Sequence, residues 1–123
     1  MKEPVIAHNR DMQEFYFEER CHLTEWWNSA KDEDASIARA RVEPSVTTRL
    51  HRLEGITERY VILEGQAMVR VGTQPPTTVA PGDVVIIPPG VAQQISNTED
   101  TDLVFLAICT PRFTEKAYED IDT

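Results

Sequence analysis

The sequence predicts an all-β protein, a barrel closed from two sheets in the jelly-roll manner, and three observations lead there. Short runs of β-branched and aromatic residues recur along the whole chain, Pro, Gly, Asp and Asn interrupt them, and no long stretch carries the 3.6-residue apolar period of an amphipathic helix. So many short strands in 123 residues are best accommodated by two sheets that pair or close their edges.

Taken in order, the expected strands are Phe15–Glu18, Cys21–Trp27, Ser36–Val42, Thr47–His51, Glu58–Leu63, Gln66–Val71, Thr77–Val79, Val84–Ile87, Gln93–Ser96 and Leu103–Cys109. In the third of these, Ala38, Ala40 and Val42 share one face and Arg39 and Arg41 the other, so the small residues should point inward and the arginines toward water or a partner subunit. Between the second and third strands, Asn28–Asp34 reads as a solvated, charged loop. Glu64-Gly65 fits a two-residue hairpin loop, with glycine supplying positive φ. Pro81-Gly82-Asp83 fits a β-turn, proline presetting φ at the first central position. The tail from Thr114 to Tyr118 suggests a single helical turn.

The chain has the size of one domain, 1–123, and shows no repeat or low-complexity segment. Its net charge of −9 would repel nucleic-acid phosphates and anionic lipid, which makes both poor partners and says little more. No apolar run suits a signal peptide or a membrane span, so a cytoplasmic location is expected. Cys21 and Cys109 are far apart and lack CxxC spacing, which predicts two reduced, buried thiols rather than a disulfide.

Two segments carry a more specific pattern. The first, 45–65, reads Ser45, five residues, His51-Arg52-Leu53, four residues, Glu58, six residues, Gly65; the second, 82–97, reads Gly82, five residues, Pro88-Pro89-Gly90, two residues, Gln93, three residues, Asn97. Both frames resemble the paired signature motifs of the cupin superfamily, with every spacing kept. Three identities depart from it: Ser45 replaces a glycine, Leu53 replaces the second histidine of the first motif, and Gln93 replaces the histidine of the second. The closing segment LVFLAICTPRF also looks like the end of small single-domain cupins.

The resemblance implies a double-stranded β-helix barrel whose interior holds a divalent transition metal, usually iron, manganese, zinc, copper or nickel. It carries His51, Glu58 and Gln93 over as the metal ligands, a thinner set than usual, because an amide oxygen is a weaker donor than imidazole and leucine donates nothing. For His51 the alternative is an imidazole hydrogen-bonded inside the barrel. For Glu58, which shares a strand face with Tyr60 and Ile62, the alternatives are an ion pair with an arginine and an exposed position. Gln93 has substrate binding or a plain buried amide as its alternatives. Tyr60 and Glu25 are candidate catalytic groups, Tyr60 as an acid or hydrogen-bond donor and Glu25 as a base or fourth ligand, against the commoner roles of core aromatic and exposed carboxylate. His22 lies on the opposite strand face from Glu25.

Two functions follow. One is a metal-dependent enzyme acting on a small organic molecule, of dioxygenase or isomerase and lyase type. The other is a non-catalytic binding or regulatory module that has lost metal competence. Likeness to small cupins also suggests a homodimer, with Phe15, Tyr16, Phe17, Trp26 and Trp27 as its apolar material.

Overall fold

In the computed structural model, which describes residues 3–123, eleven strands form two antiparallel sheets. They are β1 Phe15–Phe17, β2 Cys21–Trp27, β3 Ser36–Val42, β4 His51–Leu53, β5 Thr57–Glu64, β6 Ala67–Val71, β7 Thr77–Val79, β8 Val84–Ile87, β9 Gln93–Asn97, β10 Leu103–Thr110 and β11 Tyr118–Asp120. One sheet runs β1-β2-β3-β10-β5-β8 and the other β11-β4-β9-β6-β7. Strand alternation sends Ala40, Val42, Tyr60, Ile62, Ile87, Ile95 and Phe105 into the space between them. Among the described residues no helix is long and apolar enough to cross a membrane, which does not bear on strand-built spans.

Nine of the expected strands lie within a residue of their observed bounds, and three differences have physical causes. The strand expected at Thr47–His51 is instead a single Thr47–Ser96 bridge followed by β4. Thr48 interrupts the ladder because its hydroxyl, as well as its backbone, engages Ile95: Ile95 N–H donates to Thr48 Oγ1 at 3.0 Å. The helical turn expected over Thr114–Tyr118 shrinks to a 3-10 turn at Glu115–Ala117, and Tyr118 opens β11, which pairs with β4 from Tyr118↔Leu53 to Asp120↔His51. The third difference is at Glu64-Gly65, which does not close a hairpin. The chain there passes from one sheet to the other, β5 pairing with β10 and β8 while β6 pairs with β9 and β7. Gly65 is required because its φ is +85° and a Cβ would stand 3.1 Å from the Asp102 carbonyl oxygen.

The other motif residues serve the barrel itself. Gly82, at φ +92°, sits in the expected turn, where Asp83 N–H donates to the Ala80 carbonyl at 3.0 Å and Ala80 N–H to Asp83 Oδ2 at 2.8 Å. Asn97 is a buried clamp, its Nδ2 donating to the carbonyls of Val42 and Thr101 at 3.0 and 2.8 Å. Ser45 occupies the family's glycine position at φ +63°, a left-handed conformation that costs an L-residue about 1 kcal/mol. Ser45→Gly should therefore raise stability by roughly 0.5–1 kcal/mol; an unchanged or lower denaturation midpoint would show that the serine carries no strain.

Arg39 and Arg41 leave the core as expected, but they meet their own chain: Arg41 binds Glu14 at 2.7 Å and Asp102 at 3.3 Å, and Arg39 lies 3.7 Å from Glu14. Both cysteines are free and buried.

Candidate active site

A cavity of about 390 Å³ opens between the sheets. Its floor is Glu19, His51, Glu58 and Tyr60, its walls include Phe17, Phe105 and Phe113, and Glu25 and Arg112 stand further out. Strands β2, β3 and β10 form much of the wall, and three further stretches bring most of its polar groups. The cupin-like motif contributes His51 and Glu58, the turn between β1 and β2 contributes Glu19, and the segment after β10 contributes Arg112, Phe113 and Tyr118.

His51 is buried and both its ring nitrogens are committed. Nδ1 lies 2.8 Å from the Arg49 carbonyl, which only accepts, so Nδ1 carries a proton. Nε2 lies 2.8 Å from Glu19 Oε1, a carboxylate oxygen, and donates there as well. Burial alone would lower the imidazole's pKa, but the charge and hydrogen bond of Glu19, aided by the Arg49 carbonyl and Glu58, outweigh it and raise it to about 9. His51 is thus an imidazolium at neutral pH, paired to Glu19. Tyr118 stacks on it with ring centroids 5.0 Å apart, and Phe17 meets Tyr118 edge-on at 5.4 Å. Strand β11 is fixed over β4 by Arg49–Asp120 at 2.6 Å and Arg52–Glu119 at 2.9 Å, which holds Tyr118 in that stack.

Glu58 is buried on β5 beside this pair, and among the described residues its Oε1 has no hydrogen-bond partner. Desolvation first, and the Glu19 charge second, raise its pKa to about 7, against the opposing influence of His51, Gln93 and Cys109. Tyr60, two residues on and also buried, donates its hydroxyl to Gln93 Oε1. Burial pushes its own pKa well above 10, so it remains a neutral phenol. Burial likewise pushes the Cys21 and Cys109 thiols up, which suits inert core residues.

The structure brings His51, Glu58 and Tyr60 onto one floor. Gln93 pairs with His51 across β4 and β9 but stands behind Tyr60 and does not line the cavity. Glu25 is an exposed carboxylate at the mouth, accepting from Asn28 Nδ2 at 2.9 Å. His22 faces away from the cavity and packs edge-on against Tyr16 at 5.1 Å. Sequence reasoning missed Glu19, Arg112 and Tyr118. Glu19 lies in a charged EER turn with no apolar alternation to mark an inward face, and Arg20 beside it takes φ +72° to complete that turn.

The metal implied by the family's histidines fits these donors poorly. Leu53 fills a ligand position with hydrocarbon, His51 Nε2 is taken up by Glu19, and Gln93 Oε1 already accepts from Tyr60. Among the described residues no group of three or more His, Cys, Asp or Glu side chains is placed to hold a metal ion.

The cupin domain model matches residues 38–109, more than half of the chain. The chain belongs to the cupin family. Within curated proteins, this cupin is 38% identical over 72 residues to an oxalate-binding protein of Thermotoga maritima, a match covering 58% of this chain and 59% of that one. The chain thus spans about three-fifths of that relative's length. Its fold is similar to that of Pac13, a nucleoside dehydratase, with TM-score 0.81 and 14% identity over 98% of this chain and 92% of that one. It also resembles a predicted oxalate decarboxylase of Thermotoga maritima, with TM-score 0.77 and 23% identity over 87% and 99%. Glu19, Arg112 and Tyr118 all fall outside the family-matched stretch. The family-matched stretch therefore supplies most of the barrel and part of the floor, while the flanking segments supply much of the cavity's chemistry.

Proposed function

We propose that this cupin binds a small organic molecule between its sheets and transfers protons on it, in an isomerase- or lyase-type reaction that uses no metal. The observation carrying this reading is Glu58, a buried carboxylate on the cavity floor with an oxygen that no protein group satisfies. A general acid–base group must be desolvated and face the cavity with an oxygen left open, and Glu58 meets these conditions through Oε1. His51 and Glu19 form a fixed ion pair beside it, which holds the floor in place next to Glu58. Tyr60 is a positioning residue, holding the Gln93 amide behind the floor. Glu25 stands exposed at the mouth, hydrogen-bonded to Asn28 and apart from the buried floor. A protein of similar fold is a nucleoside dehydratase, which supports the lyase-type reading.

The competing reading places a divalent metal among His51, Glu58 and Gln93, and the spacing of the two motifs favours it. It requires His51 to lose a proton and leave Glu19, and Gln93 to leave Tyr60. Elemental analysis of the purified protein separates the two. Metal well below one ion per chain, with a melting temperature and ligand binding indifferent to chelator, is expected; a stoichiometric first-row metal that His51→Ala removes would contradict the metal-free reading.

We place the protein's work in the cytoplasm, where its two buried cysteines remain reduced. The proposed partner besides the ligand is a second copy. Phe17 is taken up by its own cavity, but Phe15 and Tyr16 on the edge strand β1 are 42% and 61% exposed and offer an apolar edge for pairing. Light scattering should give twice the chain mass.

A further inference from the structure

Two hydrogen-bond donors on the cavity lining are left open. Among the described residues, Arg112 Nε and the Tyr118 hydroxyl are buried and have no hydrogen-bond partner, and both side chains line the cavity. Arg112 is held in place without being used up. Its Nη1 donates to Asn28 Oδ1 at 2.9 Å and its backbone N–H to the Glu33 carbonyl at 3.1 Å, while Asn28 Nδ2 donates to the Phe113 carbonyl at 3.0 Å and to Glu25 Oε2 at 2.9 Å. Glu33 Oε2 lies 3.7 Å from Arg112 Nε, beyond hydrogen-bond reach, on a side chain that is 72% exposed, so water screens much of its charge. A guanidinium keeps its own charge throughout the range in which proteins fold, and a desolvated cationic N–H without an acceptor is costly.

Resting on the reading of the cavity as a small-molecule site, we infer that it takes an organic carboxylate with an apolar body, anchored on Arg112. One carboxylate oxygen accepts from Arg112 Nε in a charge-assisted hydrogen bond, and the Tyr118 hydroxyl donates to another oxygen of the ligand. The body lies among Phe17, Phe105 and Phe113 and extends from Arg112, in the outer part of the cavity, toward Glu58 on its floor. A phosphate ester offers the same oxyanion chemistry. Two open donors suit the single charge and two oxygens of a carboxylate better than the near-double charge and three oxygens of a phosphate, all the more because the exposed carboxylates Glu25 and Glu115 share the lining. Both donors lie beyond residue 109, outside the family-matched stretch, so the anchor belongs to this chain's closing segment and not to the barrel frame.

Calorimetric titration of the full, chelator-treated chain at pH 7 tests this with benzoate, its neutral isostere benzamide, and phenyl phosphate. Benzoate should bind at least about tenfold more tightly than benzamide. Arg112→Gln should weaken benzoate by about tenfold or more and leave benzamide within about twofold, while Arg112→Lys, which keeps the charge and loses the planar N–H fork, should retain part of the preference. Tyr118→Phe should weaken benzoate by about threefold to tenfold. Equal binding of benzamide by the parent overturns the inference, as does benzoate binding that neither Arg112 variant changes. Phenyl phosphate binding more tightly than benzoate overturns the choice of a carboxylate. Failure of all three probes to bind contradicts the ligand-site reading itself, whereas binding without preference for the charged ring removes only the carboxylate anchor. Stoichiometric metal in the untreated protein bears on the metal-free reading alone, since the benzoate ratio is measured in the stripped chain.

Discussion

Glu58→Gln should make the protein more stable at pH 8 by about 3 kcal/mol while leaving it unchanged near pH 4. The folded protein holds the Glu58 proton up to about pH 7, against an ordinary value of 4.5. Because the native state binds that proton more tightly than the unfolded chain, stability is lost as pH rises from 4.5 to 7 and stays lost above it. The 2.5-unit interval corresponds to about 3 kcal/mol. Glutamine has the shape of the protonated acid and never ionises, so it escapes the loss. The same substitution should abolish proton-transfer activity, by roughly 100- to 10,000-fold, since an amide neither takes nor returns a proton. Thermal melts of parent and variant from pH 4 to 9 measure the stability part directly. A variant that is less stable at pH 8 would mean that Glu58 is satisfied by a cation when charged.

Glu19→Ala should act in the opposite direction and in a different pH window. His51, raised from 6.5 to about 9 chiefly by Glu19 against the pull of burial, contributes stability that is complete below pH 6.5 and disappears as pH passes 9. Removing Glu19 leaves a buried imidazolium beside a hydrocarbon gap, so the ring sheds its proton instead. The expected cost at pH 6 is about 3 kcal/mol, shrinking toward zero above pH 9, where His51 of the parent has already shed its proton. The His51 ring resonances in NMR should titrate below 7 in the variant. Equal destabilisation at pH 6 and pH 10 would assign Glu19 a packing role instead. The two variants together predict that the parent loses stability continuously from pH 4.5 to 9, Glu58 governing the acid half and the His51–Glu19 pair the alkaline half.

The barrel was legible because it rests on periodic and punctuating residues. Alternation along Ser36–Val42 and Glu58–Leu63 marks the inward faces, Gly82 sits in a turn that needs its positive φ, and Asn97 clamps the end of β9. The Glu64-Gly65 junction was misread because a glycine at positive φ serves a hairpin and a crossing between sheets equally well; only the approach of Leu103 distinguishes them. Half of the site was legible for the same reason, as His51, Glu58 and Tyr60 stand on strand faces that alternation points inward. The other half arrives from outside the pattern. Glu19 reaches His51 from a turn 32 positions earlier, and Tyr118 reaches it from a strand so short that its pairing with β4, not its own sequence, defines it. A motif predicts ligands for the position it marks, whereas the chemical state of His51 depends on whichever carboxylate the rest of the chain folds against it.

The most direct test of the account is a carbon-13 NMR titration of the Glu58 side-chain carboxyl in chelator-treated protein between pH 4 and 9, assigned with Glu58→Gln. A midpoint near 7 is the expected result, that of a buried, unpartnered carboxylate facing the cavity. A midpoint at or below 4.5 would contradict it, showing Glu58 held ionised by a cation or by donors and unable to exchange a proton at neutral pH.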